Sequence, residues 1–220
     1  MGAATSLFWM VYSNIYDLIW DSPLTRQVFA SFEQWCGPSG TAVDLGCGTG
    51  LSSAPLTMRE WYVIGVDANV SMLKQASQHG RVASTLTADL ADTGFPAAQA
   101  DLVMASNVLH VHPYLEKVLA EAYRLVKPHG RIVCVWPSQT ATIDHAMRAD
   151  RESGRPLPAT WLAGFLRVLV GVPGAFLGAR HWSGREISGL VTWWGEANQM
   201  SLLGAGVVRG VQEYAVYSKE

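Results

Sequence analysis

The sequence predicts an α/β domain built on a mostly parallel, doubly wound sheet, and two observations carry that reading. Five short apolar runs, at residues 41–44, 62–67, 84–89, 101–106 and 131–136, are separated for the most part by helical patterns, the rhythm of repeated strand–helix–strand units. Asp44, Asp67 and Asp89 stand 23 and 22 residues apart, each at the predicted end of a strand. Right-handed crossovers keep such strands pointing the same way, so the three carboxylates share the rim where open α/β sheets bind ligands. An acidic rim with no lysine or arginine beside it suits a ligand bearing hydroxyls, amines or positive charge.

Taken in order, residues 6–35 read as helix, with Leu7, Val11, Ile15, Leu18 and Ile19 at helical spacing and Pro23 forcing a break. The clearest helix is 112–126. Leu115, Val118, Leu119, Ala122, Leu125 and Val126 form its apolar stripe, Glu116, Lys117, Glu121 and Arg124 lie opposite, and Pro128-His129-Gly130 stops it. Residues 160–179 are almost wholly apolar with one charge, Arg167; Gly164, Gly171, Pro173, Gly174 and Gly178 are expected to break them into two pieces. A substrate-covering insert is the preferred reading of this stretch over a membrane span or an interfacial segment. A helix over 185–203 follows, with Ile187, Leu190, Val191 and Trp194 on one face and Ser183 as its cap. Residues 207–218 read as two short strands turning near Gly210.

The 220 residues suit one domain with a modest insert. Sixteen Lys+Arg against eighteen Asp+Glu give a net charge of −2, which argues against a nucleic-acid partner. Only 15% of residues are charged and 49% are apolar, where soluble domains average about 25% charged; the ligand is expected to be apolar too. Cys36, Cys47 and Cys134 are odd in number and far apart, so neither a disulfide framework nor a metal site is expected, and a reducing cytoplasm is the natural setting. Residues 1–6 fit a loose myristoylation pattern that short sequences match by chance. No basic segment precedes residues 7–12, so a signal peptide is not expected.

The strongest chemical signal is Val43-Asp44-Leu45-Gly46-Cys47-Gly48-Thr49-Gly50. Glycines at a strand-to-helix turn permit positive φ and let a ligand approach bare backbone. A dinucleotide fingerprint requires Gly-x-Gly-x-x-Gly, whereas here position 51 is Leu and Asp44 stands where it would repel a pyrophosphate. The turn suits a neutral or cationic ligand.

Asp44–Gly50 resembles motif I of the class I S-adenosylmethionine-dependent methyltransferases. Val63-Ile64-Gly65-Val66-Asp67, Ala88-Asp89-Leu90, Asp101-Leu102-Val103-Met104-Ala105-Ser106-Asn107 and Leu125-Val126-Lys127-Pro128-His129-Gly130-Arg131-Ile132 resemble the family's next four motifs in order. The match spans about residues 40–137 and is closest to small methyltransferases of quinone biosynthesis and antibiotic tailoring. The resemblance implies a Rossmann-like sheet of seven strands with an antiparallel last strand and helices on both faces. It divides the chain into a helical cap (1–38), a cofactor-binding core (39–137), a helical cover (138–203) and terminal strands (204–220).

Carried over, the resemblance lays Gly46, Gly48 and Gly50 under the methionine portion of S-adenosylmethionine and Asp44 near its amino group. Asp67 would accept the ribose hydroxyls, Asp89 the adenine amine, and Met72 would pack on the adenine. Cys47, Ala68, Leu90 and Ser106 lie along the same path. Tyr16-Asp17 resembles a Tyr-Asp pair that closes over the cofactor in some relatives, with Tyr12 or Trp9 as substitutes for Tyr16.

Because a sulfonium already activates its methyl group, the protein's task is to align an acceptor O, N or C atom in line with the S–CH3 bond and exclude water. His110 and His112 follow the fourth strand at the mouth of the crevice and are the candidate bases; Asp144 and His145 are a second pair. Trp136 and the apolar stretch point to a hydrophobic, aromatic small-molecule acceptor. A homodimer is left open. Rival readings are a quinone or lipid methyltransferase at a membrane surface, a cyclase-like protein on the same fold, and a dinucleotide oxidoreductase, which Leu51 and Asp44 disfavour.

Overall fold

The computed structural model describes residues 11–176 and 182–220; Leu7, Trp9 and the pattern at 1–6 lie outside them. In chain order the elements are α1 (Tyr16–Trp20), α2 (Pro23–Phe32), a 3-10 turn (Glu33–Trp35), β1 (Thr41–Leu45), α3 (Ala54–Thr57), β2 (Tyr62–Asp67), α4 (Val70–Gln78), β3 (Ser84–Thr87) and β4 (Ala100–Ser106). They continue with α5 (Leu115–Leu125), β5 (Val126–Pro137), α6 (Ile143–Glu152), α7 (Leu157–Phe176), α8 (Gly184–Ala197), β6 (Ser201–Val208) and β7 (Gln212–Ser218).

The strands form one seven-stranded sheet in the order β3-β2-β1-β4-β5-β7-β6. β3, β2, β1, β4 and β5 pair in parallel, and β7 runs antiparallel to both β5 and β6. The fold class expected from the sequence is the one observed. The order reverses between β1 and β4, which puts the turn after β1 and the loop after β4 side by side at the switch point, the ligand crevice of such sheets.

Alternate residues of the central strands supply two cores. Val43, Leu45, Val103, Ala105, Ile132 and Cys134 face α5 and α8, meeting Leu115, Val118, Ile187 and Val191. Ala42, Val63, Leu102, Met104, Val133 and Val135 face the other way, meeting Val28, Phe29, Phe32 and Leu56. Each fully buried Leu, Ile or Phe contributes about 1.5–3 kcal/mol where an exposed ion pair contributes about 0–1 kcal/mol, so this two-sided core holds the fold.

Several expectations need correction. The stripe expected on the first helix splits: Ile19 is buried, whereas Val11 and Leu18 are exposed, because the buried face is set by Tyr12 and Ile19 packing on Met72. The helix expected over 112–126 is α5, which starts at Leu115 and ends at Leu125, and Val126 already pairs with Ala100. Glu121, placed on its polar face, is buried, since Thr93 and Arg124 satisfy its carboxylate. β3 ends at Thr87, two residues short of Asp89, which makes an isolated bridge with Asp92.

The apolar stretch is one continuous helix through Phe176 in place of two pieces. A Cβ on Gly164 would collide with Met147 Sδ, so this glycine is a packing notch for α6. No helix among the described residues is long and apolar enough to cross a membrane. Ser183 caps α8 in a reciprocal box with Glu186, but the helix stops at Ala197: Gln199 takes φ +53° and β6 starts at Ser201. β6 is accordingly longer than the expected terminal strand, and α8 packs on β5 and β7 as part of the layer covering the sheet. The turn near Gly210 is as expected.

Candidate functional site

The turn after β1 is pinned to the neighbouring strand, since Gly46 N–H and Cys47 N–H both donate to the Val66 carbonyl (2.7 and 3.0 Å). Gly46, Gly48 and Gly50 all have positive φ, yet the space beside them differs. A Cβ on Gly46 would enter Val108, and one on Gly50 would come 2.8 Å from Arg81 Cβ. Beside Gly48 the nearest atom is Tyr16 Cζ at 4.0 Å. Gly46 and Gly50 are therefore bare for packing, and Gly48 alone opens onto a space roofed by Tyr16. Cys47 turns its sulfur onto Gly65 of β2, where a Cβ would lie 2.7 Å away; burial raises its thiol pKa well above the usual range. The helix after this turn is a single short one, α3.

The three aspartates occupy different environments. Asp44 is buried; Ser53 Oγ donates to its Oδ2 (2.6 Å), and its Oδ1 has no partner. Burial pushes its pKa up to about 7, against the lowering effect of the Ser53 bond. Asp67 Oδ2 accepts from Gly48 N–H (3.0 Å) and Oδ1 from Asn69 N–H (2.8 Å), tying β2 to the glycine turn; burial raises its pKa. The side chain of Asp89 is 67% exposed, and the backbone N–H of Ala91, followed by the bond from His112, lowers its pKa. Ala68 is exposed beside Asp67, and Leu90 is buried next to Gly46.

A short N-terminal segment roofs the turn. Tyr16 is half-buried, and desolvation, with Tyr12, Asp67, Asp17 and Asp44 nearby, raises its pKa. Its ring meets Tyr12 at 5.2 Å and Trp20 at 6.4 Å between centroids. Met72, held at the start of α4 by the Asn69 cap, packs with Tyr12 and Ile19. Asp17 accepts from Thr49 Oγ1 (2.6 Å) and from Arg81 Nη1 (2.7 Å), and Arg81 also donates to the Thr49 carbonyl (3.0 Å). The expectation of a rim without basic residues is thus corrected: Arg81 reaches the turn from beyond α4, with its charge matched by Asp17.

Across the switch point, Ser52 Oγ donates to Ser106 Oγ (3.0 Å). Asn107 follows with φ +55°, and its Oδ1 is buried without a partner; it closes the 101–107 motif, where nothing in the sequence pattern marks it as a site residue. His112 has both ring nitrogens engaged: Nδ1 accepts from Tyr114 N–H (3.1 Å), which leaves Nε2 to donate to Asp89 Oδ1 (3.2 Å). His110 is half-buried on the same loop, and Trp182 covers both through its amide N–H to the His110 carbonyl and its indole N–H to the His112 carbonyl. Trp136 is buried in the core and donates to Glu213 Oε2 (3.1 Å). Asp144 and His145 lie apart on α6: His145 Nδ1 donates to the Thr140 carbonyl, and Asp144 pairs with Arg148. Among the described residues no cluster of metal-ligating side chains occurs.

A doubly wound sheet with a glycine turn and a carboxylate at its switch point defines a nucleotide-type cofactor fold. Residues 43–134 match the methyltransferase domain family. The chain is 35% identical over 139 residues to a trans-aconitate 2-methyltransferase of Azoarcus sp. strain BH72, covering 62% of this chain and 53% of that one. It is 27% identical over 140 residues to a demethylmenaquinone methyltransferase of Streptomyces avermitilis, covering 60% and 58%. The chain spans about half the length of the curated relatives it matches. Among solved structures, an S-adenosylmethionine-dependent methyltransferase of Thermotoga maritima superposes with a TM-score of 0.65 at 16% identity, over 97% of this chain and 99% of that one. The 1,6-didemethyltoxoflavin-N1-methyltransferase of Burkholderia thailandensis gives 0.60 at 15% identity, over 100% and 91%. The fold is the one these methyltransferase structures share, and the match to the methyltransferase domain family covers the part of it from β1 into β5.

Proposed function

We propose that the chain transfers a methyl group from S-adenosylmethionine to an apolar, aromatic small molecule. The observation that carries the reading is the buried, unpartnered Oδ1 of Asp44 on β1, just before the glycine turn in which Gly48 has an open side. A buried carboxylate with a spare oxygen is costly unless a donor or cation meets it, and the ammonium of S-adenosylmethionine is such a group. Asp67 would accept the ribose hydroxyls, Met72 would face the adenine, Tyr16 would cover the methionine portion, and Asn107 would offer its spare oxygen at the reacting end. When bound, the cofactor supplies an activated methyl group on a positively charged sulfur.

The protein's own part is to orient and to exclude water. Tyr12, Tyr16 and Trp20 give the roof an aromatic inner face suited to an apolar acceptor. An acceptor hydroxyl needs its proton removed, and His110 is the group assigned to this. His112 is assigned to holding Asp89 and the start of α5, because both its ring nitrogens are occupied. The relatives' names range from an acid, trans-aconitate, to a quinone precursor, so the acceptor class rests on this chain's own residues.

The test is titration calorimetry with S-adenosylhomocysteine, followed by transfer of labelled methyl from S-adenosylmethionine to a panel of aromatic hydroxyl, amine and acid acceptors. Absence of binding by Asp44→Asn beside a tightly binding wild type supports the reading; wild-type protein that fails to bind overturns it, and an unlabelled rearranged product points to the cyclase-like role. A second reading, a quinone or lipid acceptor taken at a membrane surface, is favoured by one feature. α7 exposes Trp161 (67%) and Phe165 (65%) with Leu162, Val168 and Leu169, and sedimentation with anionic vesicles tests it.

A further inference from the structure

Three charged side chains are buried together where α6 and α7 meet the end of α1: Asp150, Arg155 and Arg167. Arg155 Nη1 donates to Asp150 Oδ2 (3.1 Å) and to the Ile19 carbonyl (2.8 Å), and its Nη2 donates to the Leu18 carbonyl. Arg167 Nη2 donates to the same Asp150 Oδ2 (2.8 Å) and to the Ile19 carbonyl (3.4 Å). Two guanidiniums thus share one carboxylate oxygen, and the cluster keeps a net positive charge. Arginine does not shed its proton, and a buried charge left uncompensated is strongly unfavourable.

Arg167 is 8% exposed, and its Nε and Nη1 have no hydrogen-bond partner. Asp150 Oδ1 also lacks one, so the spare donors and the spare acceptor do not face each other. Among the described residues Asp150 is the one carboxylate in contact with Arg167. Position supplies the second half of the argument. The guanidinium lies 4.8 Å from the Trp20 ring centroid, Trp20 meets Tyr16, and Tyr16 roofs Gly48. Tyr12 and Trp20 both meet Tyr16, and Trp20 Nε1 donates to the Tyr12 hydroxyl, so the three rings cluster; Leu166, next to Arg167, packs against the cluster of Tyr12, Ile19 and Met72. An aromatic face therefore leads from the glycine turn to an arginine with unspent donors.

We propose that Arg167 binds an anionic group of the methyl acceptor, a carboxylate, while the acceptor's apolar body lies along Tyr16 and Trp20. Guanidinium N–H groups and a carboxylate make short, charge-assisted hydrogen bonds, and a carboxylate oxygen at Nη1 would take up a spare donor and offset the cluster's positive charge. The proposal rests on the methyltransferase reading for the identity of the acceptor, and on Arg167 alone for the binding of an acid.

Calorimetry on the full chain, with and without saturating S-adenosylhomocysteine, tests it with phenylacetate and its neutral isostere phenylacetamide. Phenylacetate is expected to bind at least tenfold tighter than the amide. Arg167→Met should bring the acid to the affinity of the amide, and Arg167→Lys, which keeps a positive charge on a different shape, should lose three- to tenfold. Equal binding of acid and amide by the wild type overturns the proposal, as does undiminished acid binding by Arg167→Met. If Arg167→Met fails to fold, undiminished binding by Arg167→Lys overturns it. Failure of S-adenosylhomocysteine to bind would sink the methyltransferase reading and leave the acid-against-amide comparison to decide Arg167.

Discussion

Asp17 and Arg81 meet at 2.7 Å across 64 residues of sequence, and both also bond Thr49 of the glycine turn. The roof over Gly48 is thereby fastened to the floor it covers. The pair is only partly buried (Arg81 15% and Asp17 27% exposed), so its contribution is about 1 kcal/mol once solvent screening is allowed for. Asp17→Ala is expected to weaken S-adenosylhomocysteine binding by about three- to tenfold, a loss of that order, and to speed amide hydrogen exchange over residues 12–20. Unchanged exchange there would show that the latch is idle.

The pKa of Asp44, raised to about 7, sets a pH dependence. A cation pairs with the ionised carboxylate, so cofactor affinity should fall as pH drops below about 7, approaching tenfold per unit. The apo fold should behave oppositely. A carboxyl whose folded pKa lies above its unfolded value binds the extra proton in the native state, so stability should decline as pH rises from about 4 to about 7. Calorimetric affinities between pH 5.5 and 8 and apo melting curves over the same range check both signs; an affinity flat with pH would remove Asp44 from the site.

Asp67→Ala deletes the acceptor for Gly48 N–H and Asn69 N–H as well as the proposed ribose ligand. Cofactor affinity should fall at least tenfold, about 1.4 kcal/mol, and melting should also drop because two backbone donors lose their partner. Asp67→Asn, which keeps an oxygen acceptor, should recover part of the melting temperature and less of the affinity.

The glycines separate packing from binding. Gly46→Ala drives a methyl into Val108 and is expected to destabilise the fold by about 1–3 kcal/mol, the cost of overpacking. Gly48→Ala meets open space at φ +54°, so the fold should lose only about 1–2 kcal/mol of backbone strain while cofactor binding suffers most. Chemical denaturation beside calorimetry distinguishes the two; equal binding losses per unit of stability would refute the distinction.

His110 and His112 are predicted to part company. His110→Ala should lower turnover at least tenfold with cofactor affinity held. His112→Ala should act through Asp89 and the start of α5, shifting melting and cofactor affinity more than the rate once bound. Single-turnover rates on saturated protein decide it, and full rates in both variants would leave the reaction without a histidine base.

The parallel strands and the glycine turn were legible because both faces of β1, β4 and β5 are apolar and the turn residues are contiguous. Less visible was what each turn glycine makes room for: Val108 and Arg81 arrive from 62 and 31 residues downstream of Gly46 and Gly50. Gly164 has the look of a helix breaker until Met147 is seen to fill its notch. Glu121 carries the mark of a solvated face, and only tertiary contact with Thr93 makes it a buried one. Arg167 read as a lone charge in an apolar stretch, since its partners Asp150, Arg155 and Trp20 are joined to it by folding alone. The sequence puts His110 and His112 on one loop, but its pattern does not show that both ring nitrogens of His112 are taken by Tyr114 and Asp89.

Arg155 grips the last carbonyls of α1, so stretches separated by more than a hundred residues form a single mechanical piece. Efforts to change what this chain binds should therefore diversify positions 12, 16 and 20 together with 150, 155 and 167 in one library. Changing either group alone leaves the other shaped for the original guest.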